Sequence, residues 1–140
     1  MDNILLDSDV ILDILFNRKP FSAAAFHILS LCEKKHANGF ITPVIISNLY
    51  YIIRKQTSHK NAIEKIQELL GILDVLAMDK QAVFSAIHSG FNDFEDALQN
   101  YAAENSKGVK IIITRNGKDF KSSKLAILTP EMYLNTLSKL

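Results

Sequence analysis

The sequence predicts an α/β fold in which helices cover both faces of a mainly parallel sheet. Short apolar, β-branched runs such as "NILL", "GFIT" and "VKIIIT" alternate along the chain with longer segments of helical periodicity. Strands separated by helices need crossover connections, and crossovers set neighbouring strands parallel. A length of 140 residues, 48% of them hydrophobic, supports one domain over 1–140 with a core of its own and no second domain.

Taken in order, "NILL" before Asp7 reads as a buried strand, and "VILDILF" after it has helical spacing at Val10, Ile14 and Leu15. A second helix is expected from Phe21 to about Lys35, ended by Asn38 and Gly39. "GFIT" is the second strand, and Thr42 with Pro43 supplies an N-cap and a first helical position. That helix carries "IISNLYYIIRKQ". The next runs from about His59 to Leu73, with apolar residues at Ile63, Ile66, Leu69, Leu70 and Leu73. "DVLAM" reads as a third strand and "KQAVFSAIHSG" as a short helix closed by Gly90. "DFED" opens another helix, with Asp93 as N-cap and Asp96 at capping-box spacing. "VKIIIT" after Gly108 is the clearest strand, "AILT" is the last, and Thr129 with Pro130 starts a terminal helix.

Composition narrows the function. A net charge of +1 is not that of a strongly basic nucleic-acid-binding domain, though it permits a local basic rim. Cys32 is the only cysteine, so no disulfide framework or thiolate cage is available, and a buried, inert thiol is expected. The start "MDNILLDSDV" lacks a basic region followed by a long apolar stretch, and no window approaches a membrane span, so a soluble cytoplasmic protein without a membrane partner is expected. His27, His36, His59 and His88 have no partner spacing and read as structural or surface residues. Tyr50, Tyr51 and Tyr133 read as core or interface aromatics.

Sites in parallel sheets form outside the carboxyl ends of strands. Three acidic or polar stretches fall near such places: "DSD", "TRNGKD" and "DFED". Asp7 and Asp119 can converge there, and Asp96 can reach them from a helix start. Carboxylates in contact repel unless a cation neutralises them. A set of oxygen donors favours Mg²⁺ or Mn²⁺, and the matching chemistry is metal-assisted attack of water on a phosphodiester. Each acid also has a structural role open to it. Asp7 can cap a helix, Asp9 can cap or support, Asp93 and Asp96 suit the helix dipole, and Asp119 follows an Asn-Gly turn. Arg115 and Lys118 flank the last loop, where a substrate phosphate would approach.

Together, "ILLDSDVILDIL", "DFEDALQNYAAE" and "IIITRNGKDF", in that order over nearly the whole chain, resemble the PIN-domain family, including the ribonuclease toxins of VapBC toxin-antitoxin pairs. The resemblance implies a PIN-like three-layer α/β/α sandwich and a Mg²⁺- or Mn²⁺-dependent endoribonuclease acting on RNA. It carries the metal ligands to Asp7, Asp96 and Asp119, sets Asp93 beside them as a fourth catalytic acid, and gives Ser8, Thr114 and Asn116 supporting hydrogen bonds. It also implies an antitoxin partner and a homodimer, which no residue pattern here shows by itself. Many relatives carry a Glu in the helix after the second strand, where this chain has Asn48. Asn lends a carbonyl oxygen without charge, which implies weaker metal binding, a single well-occupied metal or lost activity. Asp93, one helical turn from Asp96, is expected to compensate, and Glu95 to be solvated.

Three rival readings remain. A haloacid-dehalogenase-like phosphatase would use Asp7 as nucleophile and Asp9 as acid/base. It lacks a lysine motif, and "DFED" opens a helix where that family's second acidic pair closes a strand. A response-regulator receiver needs a lysine that "AILTP" does not have. A catalytically weakened PIN-fold binding module is the third.

Overall fold

Five strands, β1 (Asn3–Leu6), β2 (Asn38–Ile41), β3 (Asp74–Val75), β4 (Val109–Ile113) and β5 (Ala126–Leu128), pair in the order β3-β2-β1-β4-β5. Every pairing is parallel. The structure is a computed structural model describing residues 1–106 and 108–138. Among the described residues seven helices flank the sheet in an α/β/α arrangement: α1 (Ser8–Leu15), α2 (Ser22–Glu33), α3 (Pro43–Gln56), α4 (His59–Leu70), α5 (Lys80–Ile87), α6 (Phe94–Glu104) and α7 (Pro130–Leu137).

The central strand explains the unbroken apolar run at the start of the sequence. Ile4, Leu5 and Leu6 are fully buried, because a strand covered on both faces has no solvent side and need not alternate. Ile112 and Ile113 of β4 are equally buried beside them. Helices pack in pairs against this sheet, α1 with α2, α3 with α4 and α5 with α6, while α7 lies on α2. Gly39 permits the closest approach between layers, since a Cβ there would meet Leu73 Cδ2 at 2.5 Å and Cys32 Sγ at 2.7 Å. Cys32 is the buried thiol expected, and burial pushes its pKa up to about 11.

Helix starts follow their capping residues. Thr42 Oγ1 accepts from Ile45 N at 3.1 Å with Pro43 opening α3, and Thr129 Oγ1 accepts from Met132 N at 3.1 Å with Pro130 opening α7. Four boundaries differ from the expected ones. Helix α2 stops at Glu33 with Lys34 as its cap, and Asn38 and Gly39, expected to end it, belong to β2. "DVLAM" forms ladder only at Asp74–Val75, because β3 is an edge strand with one neighbour and Val75 is exposed; Leu76 then turns inward to the core. Helix α4 stops at Leu70 with Gly71 as its cap, freeing Leu73 to enter the core on the way to β3. Helix α5 stops at Ile87 with His88 as its cap, two residues short of Gly90. Among the described glycines only Gly108, leading into β4, takes a left-handed φ, at +86°.

Candidate metal centre

From β1 the chain winds outward through β2 to β3, then crosses to β4 on the other side of β1. The strand order therefore reverses between β1 and β4, and the crevice at their carboxyl ends is where such sheets bind ligands. Leu6 is in register with Ile113, so Asp7 and Thr114, the next residue on each strand, are neighbours. Asp7 N donates to Ile113 O at 3.0 Å, extending the ladder by one bond.

Asp7 is both helix cap and site acid. Its Oδ1 accepts from Ser8 N at 2.8 Å, with Ser8 Oγ at 3.5 Å, and its Oδ2 accepts from Thr114 Oγ1 at 2.9 Å. Burial raises its pKa above the ordinary carboxylate value despite these bonds, and the charge of Asp119 adds to the rise. Thr114 is fully buried, and its one proton serves Asp7; its oxygen accepts in turn from Asn116 N at 3.0 Å. Ser8, Thr114 and Asn116 thus hold acids in place. Asn116 Nδ2 does so for Asp9 Oδ2 at 2.9 Å, where Arg115 N also donates at 3.1 Å. Burial, then the charge of Asp7, raises Asp9 to about 6. Among the described residues, Asp9 Oδ1 is buried with no hydrogen-bond partner.

Asp119 and Asp96 arrive from elsewhere. Asp119 lies in a short 3-10 turn, Gly117–Phe120, anchored by the buried Phe120, whose ring meets Phe91 edge-on at 6.1 Å. Phe91 belongs to the connection leading into α6, so this aromatic contact ties the Asp119 turn to the start of that helix. Asp93 caps α6, its Oδ1 accepting from Asp96 N at 3.0 Å. Asp93, Asp96 and Asp119 line one cleft together with Lys118 and Lys121. Asp96 is raised to about 7 by burial first, then by the charges of Asp93, Asp7, Asp119 and Glu95. That order of causes makes Asp96 the acid on which the fields of the others meet. As the side chains stand, no three Asp, Glu, His or Cys groups among the described residues converge closely enough to grip an ion.

The site meets known proteins here. A family profile described as PIN domain matches residues 3–118. The chain belongs to the PIN-domain family. It is 31% identical over 143 residues to Ribonuclease VapC1 of Aquifex aeolicus (strain VF5), spanning 94% of this chain and 93% of that protein. In fold it is similar to VapBC2 from Rickettsia felis bound to a promoter DNA fragment, with a TM-score of 0.70 at 17% identity, covering 91% of this chain and 98% of that one. It is likewise similar to Mycobacterium tuberculosis VapC20, a sarcin-ricin-loop-cleaving toxin, with a TM-score of 0.63 at 13% identity, covering 83% of this chain and 92% of that one.

Within this PIN domain some side chains sit where the sequence did not indicate. The Arg115 guanidinium is turned away from the acid cleft and grips the fully buried Asp13 of α1, Nε to Oδ2 at 2.7 Å and Nη2 to Oδ1 at 3.0 Å. It also stacks on Phe21, 3.9 Å from the ring centroid. Lys121, absent from the expected set, joins Lys118 on the cleft wall. Asn48 donates Nδ2 to Glu95 Oε2 at 3.2 Å, so Glu95 is held by α3 as well as solvated. Asp13 had a visible signal, an acid inside the apolar run "VILDILF" whose neighbours Val10, Ile11, Leu12 and Ile14 are all buried. Gln99 and Asn100 had none, since polar residues on α6 read as a solvent face. Both are buried, Gln99 bonding Thr42 and Asn100 bonding Ser123.

Proposed function

We propose that this PIN domain is a divalent-metal-dependent endoribonuclease, held in check as the toxin of a toxin-antitoxin pair. The observation that supports the reading is that Asp93, Asp96 and Asp119 line one cleft with Lys118 and Lys121, and that the charge of Asp7, at the strand-order reversal, also bears on Asp96. The donor set fits a hard cation: every candidate ligand atom is a carboxylate oxygen, and among the described residues buried Asp9 Oδ1 has no hydrogen-bond partner. Asp7, Asp96 and Asp119 would hold Mg²⁺ or Mn²⁺. The ion would supply a Lewis acid that lowers the pKa of water and offsets charge developing on the phosphodiester.

The chain's own groups do the rest. Thr114 and Ser8 hold Asp7 in one orientation and keep it an acceptor. Asp93 fixes Asp96 by capping its helix and adds negative charge to the cleft. Lys118 and Lys121 offer ammonium groups for the RNA phosphates at the cleft rim, the role expected of Arg115 and Lys118. RNA as substrate agrees with the likeness to Ribonuclease VapC1, and an antitoxin partner with the likeness to VapBC assemblies. A homodimer and a cytoplasmic setting complete the proposal; no helix among the described residues is long and apolar enough to cross a membrane.

A phosphatase using Asp7 as nucleophile and Asp9 as acid/base suits the geometry less well, because both Asp7 oxygens are tied down and Asp9 Oδ2 accepts two bonds from the loop after β4. Membership of the PIN-domain family removes that reading. The deciding experiment is cleavage of a panel of structured RNAs with Mn²⁺, Mg²⁺ or EDTA, beside Asp7→Asn. Cutting that needs the metal and disappears in Asp7→Asn is expected. Absence of both cutting and Mn²⁺ binding would leave the weakened binding module, with Asn48 as its cause.

A further inference from the structure

We propose that the Asp13–Arg115 ion pair is a strut that sets the loop after β4 against α1 and so positions the acids of the metal centre. Arg115 is then a positioning residue and does not contact RNA. The inference rests on the metal-dependent reading above and deepens it.

Asp9 and Asp13 are four residues apart on α1 and share a face. Both point at the same short stretch, Thr114 to Asn116. Asp9 Oδ2 takes the Arg115 N–H and the Asn116 amide, while Asp13 takes the Arg115 guanidinium through two parallel bonds. The face of that guanidinium lies on Phe21, and Arg18 Nη1 stands 3.9 Å from Asp13 Oδ1. This stretch is the link between β4 and the turn that carries Asp119, and Thr114 within it bonds Asp7. Asp7 itself caps the same helix. Helix α1 thus holds the loop at three heights, through Asp7, Asp9 and Asp13, and only the outermost hold reaches away from the acids.

A fully buried carboxylate is an expensive way to fill space. An apolar residue at position 13 would pack between the neighbours of Asp13 at no desolvation cost, so stability alone gives no reason for the charge. What a forked Arg–carboxylate pair supplies is one geometry, with both bond directions fixed. Arg115 is also not part of the acid cleft's wall, which carries Lys118 and Lys121 instead.

The test compares unaltered protein, Asp7→Asn, Arg115→Lys and Phe21→Leu by Mn²⁺ titration followed by electron paramagnetic resonance, with RNA KM measured at saturating Mn²⁺. Arg115→Lys keeps the charge and loses the fork. It is expected to raise the Mn²⁺ Kd by about tenfold, as loss of a supporting contact does, while KM for RNA stays within about twofold. Phe21→Leu removes only the stacked ring and should raise the Kd by about threefold, which decides the matter if Arg115→Lys does not fold. A raised KM with unchanged Mn²⁺ affinity would overturn the strut and restore Arg115 to phosphate. A lowered Tm with both constants unchanged would overturn it in favour of a purely structural pair. Failure of the unaltered protein to bind Mn²⁺ through Asp7 would instead overturn the metal-dependent reading, before any strut variant is compared.

Discussion

Asp96 serves two ends that pull against each other. Burial, and then the charges of its neighbours, push its pKa up to about 7, so the folded chain binds that proton more tightly than the unfolded chain does. Stability from this group is therefore full below the ordinary carboxylate pKa and is lost as pH rises toward 7. Asp96→Asn removes the penalty. In EDTA at pH 8 the variant should melt above the unaltered protein; solvent screening at this half-buried group holds the gain to about 1 kcal/mol, or about 3 °C. At pH 4 the two should melt together. Cleavage should meanwhile fall by about 100-fold or more, the scale of removing one preorganised charged group. A variant that melts lower at pH 8 and still cuts RNA would make Asp96 a structural acid only. The sequence indicated which residue types would gather at this site, but not where one of the bases would turn. Arg115 looked like a phosphate contact because it flanks the loop that carries Asp119, whereas its partner, Asp13, lies 102 positions earlier. A charge inside a wholly apolar helical run was the only local hint, and nothing nearby named what would neutralise it.

Helix α6 separates capping from chemistry within one turn. Asp93 accepts the Asp96 N–H, and its charge also bears on the Asp96 carboxyl. Asp93→Ser keeps an acceptor at the cap and removes the charge, whereas Asp93→Ala removes both. Circular dichroism melts should show Asp93→Ala losing about 1 kcal/mol and Asp93→Ser only a few tenths. If the Asp93 charge contributes to the metal centre, both variants weaken Mn²⁺ binding alike; if only the cap matters, Asp93→Ser binds as the unaltered protein does. Elements of this kind were legible wherever a cap and a periodic run coincided, as at Thr42–Pro43, Asp93 and Thr129–Pro130. They were less legible at the sheet edge. β3 shows a two-residue ladder because a strand with one neighbour has little burial to extend it, and Leu76, just past the ladder, turns into the core instead.

At the scale of the whole molecule the acids form a concentrated negative charge that the fold tolerates by keeping protons. A bound cation should replace those protons and stabilise the folded state. By mass action, Mn²⁺ at about 100 times its Kd should add about 2.7 kcal/mol at pH 8. The gain should shrink at pH 5.5, below the raised values of Asp9 and Asp96, because the ion must then displace protons. Calorimetry with Mn²⁺ and with EDTA, repeated on Asp7→Asn, measures this, and an equal shift in the variant would place the ion elsewhere. The parallel sheet was readable from alternating runs, but strand order was not, since apolar β-branched segments do not say which will pair. The reversal between β1 and β4 is a property of the assembled sheet, and it is what gathers acids from the two ends of the sequence.

That strand order also sets a timetable. Asp7 and the groups that act on it from across the sheet, Thr114 by a hydrogen bond and Asp119 by its charge, are at least 107 positions apart in the chain. β1 stays without its β4 neighbour until residues 109–113 are in place. Pairings across so wide a gap form late and slowly. A chain that stops short of β4 would leave Asp7 without its Thr114 hydrogen bond, so the arrangement around Asp7 exists only once these two distant strands have met.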